Sequence, residues 1–318
     1  MSYEKITRDI LFRHPANPVL TAQHFKDQLG IKMRAVYNSS AIKTPEGNYV
    51  MLCRTNQLNH KTLLWGADSK DGIEWTLRPE PFEMPTTKDW LDATASVYFD
   101  PRITYIDGEY IVLLACQGGA GSVVALFKSK DLQTLTFHSY ICVPINRNMV
   151  IFPEKSKDGR YMRLERPAQD EGGKGNIWLA HSPDLVHWGD FHQIITTREL
   201  WNFAISGLGP STVPYRTDEG WLILFHAIMN NCTTREYSVG AALLDLDEPW
   251  KVRHLAKHPI LYPEVDYEMI GLVEHVCFPC SKIIEPDGTL KLYYGGADTV
   301  QCVATGKLED VIYACKNW

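Results

Sequence analysis

Asp100 precedes proline in Tyr-Phe-Asp-Pro-Arg, at the head of a strand-like run, and a carboxyl group so placed can hand a proton to a leaving oxygen. Pro101 fixes its own φ and biases Asp100 toward extended backbone, which would hold the carboxyl group still. An Asp-Pro pair alone is more often a turn element than an acid. Its weight comes from its company: Asn38, Arg54, Glu165, Arg166 and His226 also stand inside otherwise apolar runs. Polar side chains in such places are costly unless paired or wetted, and arginine's planar fork suits the oxygens of a bound oxyanion. One reading is a pocket with an acid and an anion site. The other is a structural ion-pair ring of Arg54, Glu165 and Arg166.

The elements that must position these residues repeat along the chain. Gly47, Gly108, Gly159, Gly220 and Gly288 each stand in a turn-like setting (PEG, IDG, KDG, DEG, PDG) and open a strand: NYVMLCR, EYIVLLA, RYMRLER, WLILFHA and TLKLYYG. Glycine there supplies the positive φ of a hairpin turn. Another short strand precedes every glycine. After four of them a third strand closes in an acidic turn such as SKD, SPD or LDLD, and CVATGKLEDVI is a degenerate fifth. Strand sets recurring about every 50 to 70 residues, with few helical segments, predict an all-β fold, a five-bladed β-propeller. The chain is expected to be one domain over 1–318, with residues 1–34 as a strap that closes the ring and TAQHFKDQLG as the one fair helix.

Equal offsets from the repeat glycine should lie on one ring around the axis. Six and seven residues after it stand Cys53 and Arg54, Leu114 and Ala115, Glu165 and Arg166, His226 and Ala227, Tyr294 and Gly295. Six to ten residues before it stand Asn38, Asp100, Pro153, Pro210 and Pro279. The repeat thus gathers the residues named above without reference to any other protein.

Composition narrows the function classes. A net charge of −6 offers no basic field for nucleic acid, and no apolar run approaches a membrane span or a signal peptide core. A cytoplasmic location is expected. The eight cysteines are scattered as buried thiols of a reducing compartment, and Cys277-Phe-Pro-Cys280 lacks the second pair that a zinc site would need. The 11 histidines show no ligand spacing, and GGAGS at 118–122 lacks the lysine of a phosphate loop, so neither metal nor nucleotide cofactor is expected.

Taken jointly, HPANPVL, VYNSSAI, FDPRITYIDGEY, NRNMVIFPEK, RYMRLERP, SPDLVHWG, GWLILFHA, YSVGAALLDLDEPWKV and YYGGADT resemble glycoside hydrolase family 130, the β-mannoside phosphorylases and some β-mannosidases, over about residues 14 to 310. The resemblance implies an inverting reaction. One Asp donates its proton by way of a mannose hydroxyl, while inorganic phosphate, a co-substrate rather than a cofactor, attacks the anomeric carbon. Asp100 falls on that acid. Arg147, Arg166, His226 and Tyr237 fall on the phosphate side, and Asn38, Ser39, Arg54, Arg102 and Asp298 on the substrate side. The expected partners are a short β-mannoside and phosphate, with self-association left open.

One departure matters. Phosphorylases of this family carry a lysine in a KIGAG-like stretch, where this chain has Gly207-Leu-Gly-Pro-Ser211. Glu165 also stands beside Arg166, where related chains often have a neutral residue or histidine. These changes admit a hydrolase with Glu165 as the base activating water, whose carboxyl would lie about 6.5 to 9.5 Å from the acid. Retention of both phosphate arginines weighs the other way. A non-catalytic sugar-binding propeller is a third reading, and a furanosidase is disfavoured by prolines where that group has acids. Trp201 is a candidate for sugar stacking, Trp75, Trp188 and Trp221 for blade packing, and Gln169 to Gly175 for a rim loop.

Overall fold

The computed structural model describes residues 9–84, 97–118, 121–168, 175–230 and 234–318. Five antiparallel sheets succeed one another around an axis. Blade I comprises Met33–Lys43, Tyr49–Gln57, Thr62–Ser69 and Thr76–Pro81, and blade II Val97–Ile106, Glu109–Gly118, Gly121–Ser129 and Thr136–Tyr140. Blade III comprises Asn146–Ile151, Tyr161–Pro167, Ile177–Ser182 and Gly189–Ile195. Blade IV comprises Gly207–Pro210, Gly220–Asn230, Arg235–Leu244 and Val252–Leu255, with Tyr215–Thr217 as a side strand. Blade V is built from Cys277–Ile284, Thr289–Gly296, Val300–Lys307 and, from the other end of the chain, Phe12–Arg13. The protein is a five-bladed β-propeller.

Each repeat glycine has positive φ, from +78° at Gly108 and Gly288 to +144° at Gly220. The acidic turns work alike: Asp71, Asp131, Asp184 and Asp245 each accept two backbone N–H groups from the residues that follow. Alternation along the strands then gives every blade two apolar faces. Met51 packs toward blade V with Tyr293, whereas Leu52 packs toward blade II with Val112. Leu113 meets Ile151 of blade III, Leu164 meets Phe225 of blade IV, and Leu224 meets Leu292 of blade V. Each main core cluster thus spans one blade-to-blade interface.

The ring is closed by Phe12 and Arg13, which pair with Thr305 and Ala304. Helix Ala22–Leu29 follows, capped by the Thr21 side chain and ended by left-handed Gly30. The C-terminal helix differs from expectation: Leu308–Asn317 takes up the second half of the segment expected as a degenerate strand, burying Val311, Ala314 and Cys315. Its apolar residues fall at helical spacing, which a strand-by-strand repeat reading obscures. Among the described residues no helix is long and apolar enough to cross a membrane. Residues 169–174 of the expected rim loop lie outside the described residues.

Candidate active site

The first strands of blades I, II and III share one irregularity. Between Tyr37 and Ser40, Phe99 and Arg102, and Arg147 and Val150, three steps along the first strand match two on its partner, which makes each a β-bulge. At these bulges Asn38, Asp100 and Asn148 adopt φ of +51°, +50° and +60°. Asn and Asp tolerate this left-handed conformation better than other side-chain-bearing residues. The extended backbone expected for Asp100 is therefore corrected. Pro101 lacks an N–H and sits without loss where the ladder is interrupted.

The same finding corrects the residue expected in blade III. The turn before Gly159 is longer than in blades I and II, so the counterpart of Asn38 and Asp100 is Asn148 rather than Pro153. The signal lay in Asn148, since asparagine tolerates a left-handed site better than most residues.

Asn38, Asp100 and Asn148 line a cavity of about 340 Å³ near the axis, together with Arg54, Arg147, Arg166, His226, Tyr237 and Asp298. Arg54 Nη1 donates to Asp100 Oδ1 at 2.6 Å, leaving Oδ2 for a ligand. The Arg54 guanidinium is held between the rings of Tyr37 and Phe99, at 4.3 and 4.9 Å. These aromatics precede the left-handed residues of blades I and II. Asn38 lies against Gly295, where an added Cβ would come within 2.1 Å of Asn38 Oδ1. Asp298 stands beside Asn38, and burial, opposed by Arg54 and reinforced by Asp100, pushes its carboxyl group up to about 6.

Arg147 and Arg166 are directly opposite each other on neighbouring strands. Like charges in such a pair repel, so the arrangement is suited to an anion between them. Arg166 is threaded through a slot of glycine: a Cβ at Gly175 would lie 2.3 Å from its Cγ, and one at Gly209 2.7 Å from its Cδ. Its Nη1 lies 3.3 Å from His226 Nε2. Burial first, then Arg166, Arg102 and Arg147, push the imidazole well below its usual range, so His226 is neutral. A guanidinium only donates, which makes Nε2 the acceptor and places the ring proton on Nδ1, 2.9 Å from Ser211 Oγ. One half of the cavity is thus cationic and rich in donors. The other half carries two carboxyl groups.

Three sequence expectations lie elsewhere. Glu165 is on the opposite face of its strand from Arg166, where its Oε2 accepts from Arg163 Nη2 at 2.6 Å and Asn146 Nδ2 at 3.0 Å. It lines a separate groove with Trp178 and Trp188, so it neither activates water in the cavity nor joins Arg54 and Arg166 in a ring. Arg102 is buried behind the wall, donating to the carbonyls of Pro101 and Pro279. Ser39 is buried too, its N–H bonded to Gln301 Oε1 at 2.8 Å. Both support the lining from behind.

Aromatic surface in the cavity comes from Phe99, Tyr237 and Phe278, while Trp201 is exposed and outside the lining. Trp75 and Trp221 are buried between blades. Arg235, Val273 and Val276 complete the lining and carried no repeat signal, being at a hairpin tip and in a connecting segment. A larger groove of about 600 Å³ between Thr44 and Asp131 is lined mainly by acids and hydroxyls and holds none of the expected residues.

Cys277 and Cys280 are buried free thiols pushed up by burial, Cys280 to about 12, which makes them inert. His181, Asp190 and His192 come together on the outer strands of blade III with ligand atoms within 4.8 Å of one another, a grouping invisible in the sequence spacing. Arg160 Nη2 already bonds the Asp190 carboxylate at 3.1 Å, and the cluster is remote from the cavity lining.

The family model described as beta-1,4-mannooligosaccharide phosphorylase, that of glycoside hydrolase family 130, matches residues 2–317. The beta-1,4-mannooligosaccharide phosphorylase of Ruminococcus albus is 31% identical over 318 residues, covering 98% of this chain and 92% of that protein. The beta-1,2-mannobiose phosphorylase of Listeria innocua is 37% identical over 247 residues, covering 78% of this chain and 67% of that protein. A solved structure of the Listeria innocua beta-1,2-mannobiose phosphorylase with beta-1,2-mannobiose superposes with a TM-score of 0.85 at 28% identity, covering 96% of this chain and 99% of that one.

Proposed function

The chain belongs to glycoside hydrolase family 130, and from that membership we propose that it is an inverting phosphorylase that releases α-mannose 1-phosphate from a short β-mannoside. The observation that carries the reading is the facing pair Arg147 and Arg166 beside a neutral, buried His226, at the end of the cavity away from the Arg54–Asp100 pair. Two arginines, Arg166 buried and Arg147 half-buried, suit inorganic phosphate, whose oxygens take several fixed hydrogen bonds at once.

In this mechanism a phosphate oxygen forms the new bond to the anomeric carbon as the glycosidic bond breaks. The departing oxygen keeps the bonding electron pair and receives the proton that Asp100 supplies through a mannose hydroxyl. Arg54 orients Asp100 through Oδ1, Asn38 and Asp298 hold the sugar, and Asn148 joins Arg147, Arg166, His226 and Tyr237 around the phosphate. An ionised nucleophile needs no basic carboxylate to activate it. Against the hydrolytic alternative, Glu165, its candidate base, lines a separate groove and accepts from Arg163. The seven cysteines among the described residues are buried or half-buried free thiols, which suits a reducing compartment, and we place the enzyme in the cytoplasm.

The test is turnover of β-1,2-mannobiose, β-1,4-mannobiose and β-1,4-mannosyl-glucose with and without inorganic phosphate. Mannose 1-phosphate should form from at least one, only with phosphate, and Asp100→Asn should lower kcat by about 10²- to 10⁴-fold. Free mannose released at the same rate without phosphate would make the enzyme a hydrolase. No turnover, with sugar binding intact in Asp100→Asn, would make it a binding protein.

A further inference from the structure

The cavity-facing side of blade IV is a ladder of paired residues. One rung is Gly209, His226 and Val239, the next Gly207, Ile228 and Tyr237, and the outermost Asn230 with Arg235. Residues two apart on a strand share a face, so Arg235 projects on the same side as Tyr237, and both line the cavity. Arg235 Nε donates to Asn230 Oδ1 at 3.2 Å. Among the described residues no carboxylate lies within ion-pair distance of Arg235, whereas Arg54 is met by Asp100 and Arg163 by Glu165.

The rung beneath carries no cation. Gly207 has φ +149°, which side-chain-bearing residues rarely adopt, and a Cβ there would meet nothing closer than 3.5 Å. The backbone therefore disfavours a lysine at this position, and the Gly175 backbone and the Ile228 side chain pack against it. Unlike Arg54, Arg147 and Arg166, which are at least half-buried, Arg235 is exposed, so it is free to fold down after an anion has entered.

We propose that Arg235, from the tip of the hairpin formed by Gly220–Asn230 and Arg235–Leu244, is the third cation on the phosphate, reaching into the cavity it lines with Arg147 and Arg166. The assignment rests on the phosphorolysis reading. Arg147 and Arg166 meet the anion from the wall, and Arg235 covers it from the mouth of the cavity. The negative charge is then enclosed on both sides, although the chain has glycine where its phosphorylase relatives are expected to have lysine.

Initial rates decide it, with phosphate varied at saturating mannoside and mannoside varied at saturating phosphate, for wild type, Arg235→Ala and Arg235→Lys. Arg235→Ala should raise the phosphate KM roughly 10- to 100-fold, as loss of a charge-assisted bond does, and change the mannoside KM less than about twofold. Arg235→Lys should recover part of the loss. Titration calorimetry of inorganic phosphate into each protein makes the same comparison without turnover. Because Arg235 is at an exposed hairpin tip, the variants should melt with wild type, which checks the fold. An unchanged phosphate KM or Kd overturns the assignment, and so does a rise confined to the mannoside KM. Failure of the reading beneath it looks different: wild type itself would turn over without phosphate or bind none.

Discussion

Asp298 has neighbours that pull its proton in opposite directions. Burial and the Asp100 charge keep the proton on, while Arg54 and the Asn38 amide favour its loss, and the balance leaves the carboxyl group near 6 in the folded protein against 3.8 as the ordinary value. A folded-state value above the unfolded one means that the native state holds a proton the unfolded chain has already released. Asp298 therefore contributes stability that is full below about pH 4 and is lost as the pH rises through about 6. Cavity water screens part of this, so about 1–2 kcal/mol is expected rather than the full amount that a two-unit displacement carries. Denaturant unfolding at intervals from pH 4 to 7 should show this slope in the wild type and lose it in Asp298→Asn. A slope unchanged in that variant would place the titration in another group.

At the scale of strands, the anion site depends on what blades III and IV leave out. Gly175 and Gly209 form the slot through which Arg166 passes, and a methyl group at either position would stand closer than 3 Å to the arginine's methylenes. Gly209→Ala should displace Arg166 and His226 together, raising the phosphate KM about tenfold while the mannoside KM stays within about twofold. Separate phosphate and mannoside titrations of the variant check this, and a change in the mannoside KM alone would assign Arg166 to the sugar. The glycine repeat made the blades legible because a positive-φ turn tolerates few other residues. It also placed Asn38, Arg54, Asp100, Arg166 and His226 near the axis without any relative. What it could not supply was face and register. The turn before Gly159 is longer than its counterparts, so counting from the glycine gave Pro153 in place of Asn148, and counting put Glu165 and Arg166 together although adjacent residues point to opposite faces. Arg235 was hidden for another reason: nothing in a hairpin tip's local pattern shows what it reaches over.

For the whole molecule, the question is what keeps a ring of five sheets shut when its last blade is assembled from both ends of the chain. The strand Phe12–Arg13 contributes two paired residues, extended by the bond from the His14 N–H to the Val303 carbonyl and by the mutual backbone bonds of Leu20 and Gln301. Arg13 adds a side-chain lock: Nε and Nη2 each donate at 2.8 Å to the two oxygens of Glu268, which is fully buried between blades IV and V. Tyr294 donates a further bond to Oε1 at 2.7 Å, and the N–H of Glu264 donates to Oε2 at 2.9 Å. A carboxylate buried this deeply is tolerated only while its cation is present, since removing one partner of such a pair typically costs about 3–5 kcal/mol. Arg13→Met should therefore destabilise the protein by about 3 kcal/mol in denaturant unfolding. Glu268→Gln added to it should restore part of that, because the stranded charge is then gone and the amide still accepts from Tyr294. Additive losses in the double variant would mean that Arg13 closes the ring through its packing and its bond to the Tyr262 carbonyl, with Glu268 held independently. The cavity is lined by blades I to V in turn, so a ring that opens at this seam should lose phosphate binding in step with unfolding.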